Sequence, residues 1–160
     1  MSNPNHITIY TDGSSRGNPG PGGYGVILMF GKHRKELSAG FKKTTNNRME
    51  LMAVIEGLKA LKTSDYPVTV YSDSQYIVNA VTKGWLQKWM HTNFSGGKKN
   101  KDLWMEYYRL AKPLHINFVW VKGHADNPFN NRCDQLATEA ADGTDLGIDE
   151  EFEKSAETLL

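Results

Sequence analysis

The run His6-Ile7-Thr8-Ile9-Tyr10-Thr11-Asp12 decides the fold, because it alternates apolar and polar residues and then meets a glycine- and proline-rich stretch at 13–23. Alternation with period two is what a strand with one buried face requires, so a strand is expected to exit at Asp12. Two further β-rich stretches, 24–30 and 35–41, are separated by a short segment containing Gly31 and predict an antiparallel meander of three strands. From Asn47 the spacing turns helical: Leu51, Ile55, Leu58 and Leu61 share one stripe, Glu50 falls in the first turn, and Ser64-Asp65-Tyr66-Pro67 marks a boundary. Residues 68–72 form a short β-branched strand ending at Asp73, and Ser74-Gln75 open a second helical pattern through Tyr76, Ile77, Ala80 and Val81. A helix over about 102–111 stops before Pro113, a fifth strand covers 116–121, and a loop at 123–130 leads to an amphipathic helix over 131–141. The order βββαβα(α)αβα implies parallel crossovers in its second half, hence an α/β fold with a mixed sheet and helices packed against it.

With 160 residues, 39% hydrophobic and 11% aromatic, the chain suits one domain with a sizeable core. No run approaches the roughly 20 apolar residues of a membrane span, and residues 1–6 carry no basic segment leading into an apolar one, so neither a membrane partner nor a secretory leader is expected. The single cysteine, Cys133, sits where a helix buries it, and a cytoplasmic setting is expected. The net charge of +1 conceals a segregation: residues 1–138 hold 18 Lys and Arg against 10 Asp and Glu, whereas 139–160 hold 1 against 8. A basic body points to an anionic partner, with a solvated lysine surface as the alternative.

Four acids stand at element boundaries: Asp12, Glu50, Asp73 and Asp134. Each has an ordinary explanation. Asp12-Gly13 suits a hairpin turn, Glu50 three residues after Asn47 suits a capping box, Asp73 suits a helix N-cap, and Asp134 in a first turn suits the helix dipole. Together they suggest more, because ligands of open α/β sheets gather at the carboxyl ends of strands. Converging carboxylates repel unless hard, oxygen-seeking cations such as Mg²⁺ neutralise them, and two such ions roughly 4 Å apart can drive phosphodiester displacement.

At these same residues the chain resembles ribonuclease H of type 1. The resemblance lies in Tyr10-Thr11-Asp12-Gly13-Ser14 with the loop at 17–25, in Thr44-Thr45-Asn46-Asn47-Arg48-Met49-Glu50-Leu51, in Ser72-Asp73-Ser74-Gln75-Tyr76, in Val119-Trp120-Val121-Lys122-Gly123-His124-Ala125 and in Asn131-Arg132-Cys133-Asp134. It implies a five-stranded mixed sheet, and an endonuclease that hydrolyses the RNA strand of RNA–DNA hybrids by two-metal-ion catalysis. Products would carry 3′-hydroxyl and 5′-phosphate ends, and sequence specificity would be slight. It further implies two Mg²⁺ per site, with Mn²⁺ as substitute, held by Asp12, Glu50, Asp73 and Asp134. His124 would assist proton transfer or product release. Asn18, Asn46, Asn47 and Gln75 would reach the minor groove, and Thr45 with Asn47 would hold a phosphate of the DNA strand. Ser15 stands where many relatives have Cys, and Phe94 where Trp is frequent.

Residues 74–101 contain no Asp or Glu but interleave Lys83, Lys88, Lys98, Lys99 and Lys101 with Trp85, Trp89 and Phe94. Such a surface can neutralise phosphates and pack on sugars, although Trp85 and Trp89, four apart, also suit simple helix packing. It resembles the basic handle of bacterial ribonucleases H, here about 83–101, within a catalytic domain at 1–143. The acidic tail at 144–160 suits disorder, helix or docking on the basic body. A monomer is expected. Two rival functions remain: a transposase- or resolvase-like DNA nuclease of the same fold, and a non-catalytic hybrid-binding module.

Overall fold

The computed structural model describes residues 5–122 and 127–158, and its architecture follows from the patterns above with several differences at the ends of elements. Strands β1 (Ile7–Ser15), β2 (Gly20–Phe30) and β3 (His33–Thr44) form the meander. Helix α1 (Asn46–Lys59) follows, then β4 (Val68–Ser72), α2 (Gln75–Thr82), α3 (Trp85–His91), α4 (Lys101–Ala111), β5 (Ile116–Trp120) and α5 (Pro128–Asp142). The chain continues into a two-residue strand, β6 (Leu146–Gly147), and a helix, α6 (Glu150–Thr158). The sheet order is β5-β4-β1-β2-β3-β6, with β4 parallel to both β1 and β5, and β6 parallel to β3.

The expected five strands are therefore six, because residues 146–147 pair with Gly40 and Phe41. Two residues carry no periodicity, so this strand had no sequence signal. The meander strands are longer than expected for a related reason. Gly20, Gly22 and Gly23, which read as part of the loop at 13–23, are paired residues of β2: Gly22 and Gly23 lie opposite Ser15 and Ser14, and all three lie along 40–44 of β3. Helix α5 crosses Gly23 and Gly25 closely, since a Cβ there would collide with the Ala137 and Cys133 carbonyls of α5, while a Cβ at Gly20 or Gly22 would meet the backbone of Arg16 or Ser14.

Alternation along β1 divides the core. Ile7 and Ile9 face the main cluster, with Val26, Val54, Ile77 and the fully buried Trp104, while Tyr10 faces a smaller cluster with Ile27 and Cys133 under α5. Helix α1 is buried over most of its circumference rather than along one stripe, because it lies between the sheet and α4. Among the described residues, no helix is long and apolar enough to cross a membrane.

Candidate active site

Three of the four boundary acids converge. Asp12 on β1, Glu50 on α1 and Asp73 just after β4 each present a carboxylate oxygen, and these oxygens lie within 4.8 Å of one another. The parallel β1–β4 pairing brings Asp12 and Asp73 to the same end of the sheet. Gly13 brings Glu50 to them, since a Cβ there would collide with the backbone of Met49 and Glu50.

The local alternatives for these acids do not hold. Asp12 lies inside β1, opposite Gly25, rather than in a hairpin turn. Helix α1 is capped by the Thr45 side chain, which accepts from the Arg48 amide; Asn47 is thus inside the helix, and Glu50 is two residues beyond the capping-box position, which Arg48 occupies. The cap of α2 is Ser74, which accepts from the Ile77 amide and leaves Asp73 outside. Helix α5 begins at Pro128, capped by Asn127, so Asp134 is in its second turn, beyond reach of the N-terminal dipole.

Electrostatically the cluster is under stress. Asp12 is buried, and desolvation, reinforced by the charges of Asp73 and Asp134, pushes its carboxyl up to about 8. Glu50 is raised well above its usual range by burial and by Asp12 and Asp73. Two like charges at this separation repel by on the order of 3 kcal/mol at an effective dielectric of about 20. Moreover, Glu50 Oε1 and Asp73 Oδ1 are buried without a hydrogen-bond partner. Buried, unpaired carboxylate oxygens are costly, and a divalent cation with oxygen preference is the species that relieves both the repulsion and the missing partners. Asp134 does not join the tight group; it is exposed on α5, near enough for its charge to raise Asp12.

The remaining site residues separate into groups. His124 lies outside the described residues. Asn18, Thr45 and Asn47 line one groove of about 850 Å³ together with Lys98 and Lys99, and the Asn18 side chain accepts from the Asn46 amide at 3.0 Å. Gln75 is exposed at the start of α2. The stretch expected to form a handle, about 83–101, folds as α3 and the turns on either side of it. There Trp85 is exposed with the Lys83 ammonium 5.7 Å from its ring, and Lys88 is exposed. Trp89 is half-buried against Tyr76, Trp104 and Phe94, so the packing role of a handle tryptophan falls to Trp89.

Two features escaped sequence reading. The exposed Trp120 donates its indole N–H to the Asp73 carbonyl at 3.2 Å and so holds the turn that carries Asp73. Arg48, read only as part of a motif, is buried and bonded to Asp102 and to Asp149 of the tail. An arginine amid the apolar residues of a helix was the one available hint.

The chain matches the family model described as RNase H over residues 4–142. It is 54% identical over 147 residues to a ribonuclease H of Syntrophus aciditrophicus, covering 89% of this chain and 84% of the relative. A ribonuclease H of Desulforamulus reducens is 53% identical over 152 residues, with 92% and 95% covered. Among solved structures, LC9-RNase H1, a type 1 enzyme with the type 2 active-site motif, aligns with a TM-score of 0.77 at 31% identity, covering 88% of this chain and 74% of that one. LC11-RNase H1, solved in complex with RNA/DNA hybrid, aligns at 0.66 and 30% identity over 85% and 96%. With a family model spanning most of the chain, and relatives above half identity that align along nearly their full length, this protein belongs to the ribonuclease H family.

Proposed function

We propose that this ribonuclease cuts the RNA strand of an RNA–DNA hybrid with two Mg²⁺ ions held by Asp12, Glu50, Asp73 and Asp134. The observation that carries the reading is the carboxylate triad, with Asp12 and Glu50 buried and Asp73 half-buried, whose orphaned oxygens at Glu50 and Asp73 match the donor set of a hard divalent ion. When bound, such ions supply activation of the attacking water and charge stabilisation of the leaving oxygen in an in-line displacement, which gives 3′-hydroxyl and 5′-phosphate ends. Mn²⁺, with the same oxygen preference, would substitute.

Asp12, Glu50 and Asp73 would hold the ions from the clustered side, and the exposed Asp134 would complete the set from α5. His124 takes the proton-transfer role, which suits an imidazole near neutrality. Thr45 and Asn47 receive a phosphate of the DNA strand in the groove they share with Lys98 and Lys99. Asn18, Asn46 and Gln75 approach the minor groove, where asparagine and glutamine read a degenerate pattern, so contacts position the duplex without selecting sequence. Trp85, Lys83 and Lys88 form the outer handle on the DNA backbone. The catalytic unit is 1–143, a monomer suffices because one chain supplies every assigned residue, and a reducing cytoplasm suits the free, buried Cys133.

End-labelled RNA–DNA hybrid, duplex DNA and duplex RNA, each incubated with Mg²⁺, test this. Cleavage of the RNA strand in the hybrid alone is expected. Cleavage of duplex DNA would favour a transposase-like nuclease, and binding without cleavage a hybrid-binding module.

A further inference from the structure

The acidic tail ends up against the substrate groove. Asp149, the residue before α6, is buried and forms a two-bond fork with Arg48: Nε donates to Oδ2 at 2.7 Å and Nη2 to Oδ1 at 2.9 Å. The same guanidinium makes a second fork with Asp102 of α4, at 2.9 and 2.7 Å. Thr44 also donates to Asp149, at 2.7 Å. One tail carboxylate therefore grips the residue before Thr45 and the residue after Asn47, while Arg48 ties that turn to the base of the handle. The Phe152 ring lies 6.0 Å from the Arg48 guanidinium, and Glu151, Phe152 and Ser155 of α6 line the same groove as Lys98 and Lys99.

We propose that the tail strap, β6 through the first turns of α6, is one wall of the hybrid-binding groove, and that Asp149 is a positioning residue that sets Thr45 and Asn47 against the handle. This rests on the groove being the seat of the hybrid. Buried, bidentate arginine–carboxylate pairs are geometrically strict, so a double fork fixes three segments, 44–48, 100–102 and 149, relative to one another. None of these bonds reaches the metal triad. Substrate binding is thus sensitive to the strap while the chemical step is not. The exposed Glu151 adds a second consequence: its negative charge faces the space into which phosphates must enter, and weakens their approach.

The test uses the full chain with hybrid of defined length, in Mg²⁺ and low salt. Asp149→Asn preserves shape but removes the charge. It should raise KM about tenfold while kcat stays within about twofold, since an interaction made equally in ground and transition states moves KM alone. Glu151→Gln should lower KM about two- to threefold, with the gain vanishing at high salt. Circular dichroism establishes that each variant is folded at the assay temperature. A folded Asp149→Asn protein with unchanged KM, or with reduced kcat at unchanged KM, overturns the proposal. If Asp149→Asn does not fold, an unchanged KM in Glu151→Gln overturns it equally. Wild-type protein that cuts no hybrid would instead sink the functional reading beneath it.

Discussion

Replacing Asp12 by asparagine should stabilise the metal-free protein while removing its response to metal. The Asp12 carboxyl stands at about 8 when folded, against 3.8 for the free side chain, chiefly through desolvation and the charge of Asp73. Its contribution to stability is fully present below about pH 4 and is lost progressively as pH rises through about 8, because the unfolded chain ionises freely and the folded one cannot. At pH 7 the gap of about 3 units corresponds to a ceiling of about 4 kcal/mol. Local relaxation and water entry reduce this, and about 2 kcal/mol is expected, or a melting-temperature rise of about 4–8 °C for a chain of this size. The measurement is thermal unfolding in EDTA at pH 5, 7 and 8.5, where the variant's advantage should widen with pH. Adding Mg²⁺ at about 100 times its Kd should stabilise the wild type by about 2.7 kcal/mol and the variant far less. A variant that melts below wild type in EDTA at pH 8.5, or gains as much from Mg²⁺, would refute the account of the triad as a destabilised cation site.

Other perturbations discriminate between parts of the structure. Gly13→Ala should cost about 1–3 kcal/mol by forcing α1 away from β1, and should weaken Mg²⁺ binding in a calorimetric titration because Glu50 moves with the helix. Lys98→Gln with Lys99→Gln should reduce the salt dependence of hybrid affinity by about one to two units of log–log slope without changing the melting temperature. Trp85→Ala should weaken hybrid binding in a stable protein, whereas Trp89→Ala should lower denaturant stability by about 2–4 kcal/mol through loss of its packing on Tyr76 and Trp104. Cys133, buried and with its thiol pushed up to about 12 by desolvation, should resist thiol reagents at pH 8 in the native protein and react on denaturation.

The order of strands and helices and the identity of the four carboxylates were legible in the chain itself. Period-two alternation over residues 6–12 and helical spacing from Asn47 are local signals, and motifs fixed in order along the chain identify the family without coordinates. Where elements end was less legible, because glycines at 20–23 read as loop in a sequence but are paired strand residues in the fold, with Gly23 lying against α5.

What only the tertiary structure decided was which carboxylates meet and what the tail does. Capping, turn and dipole roles are all available to isolated acids, and only the parallel β1–β4 pairing and the Gly13 contact bring Asp12, Glu50 and Asp73 within 4.8 Å while leaving Asp134 outside. The Arg48–Asp149 pair joins residues 101 positions apart. Sequence periodicity reports each segment's own burial, whereas convergence of distant charges depends on the packing of the whole sheet, and no local pattern encodes it.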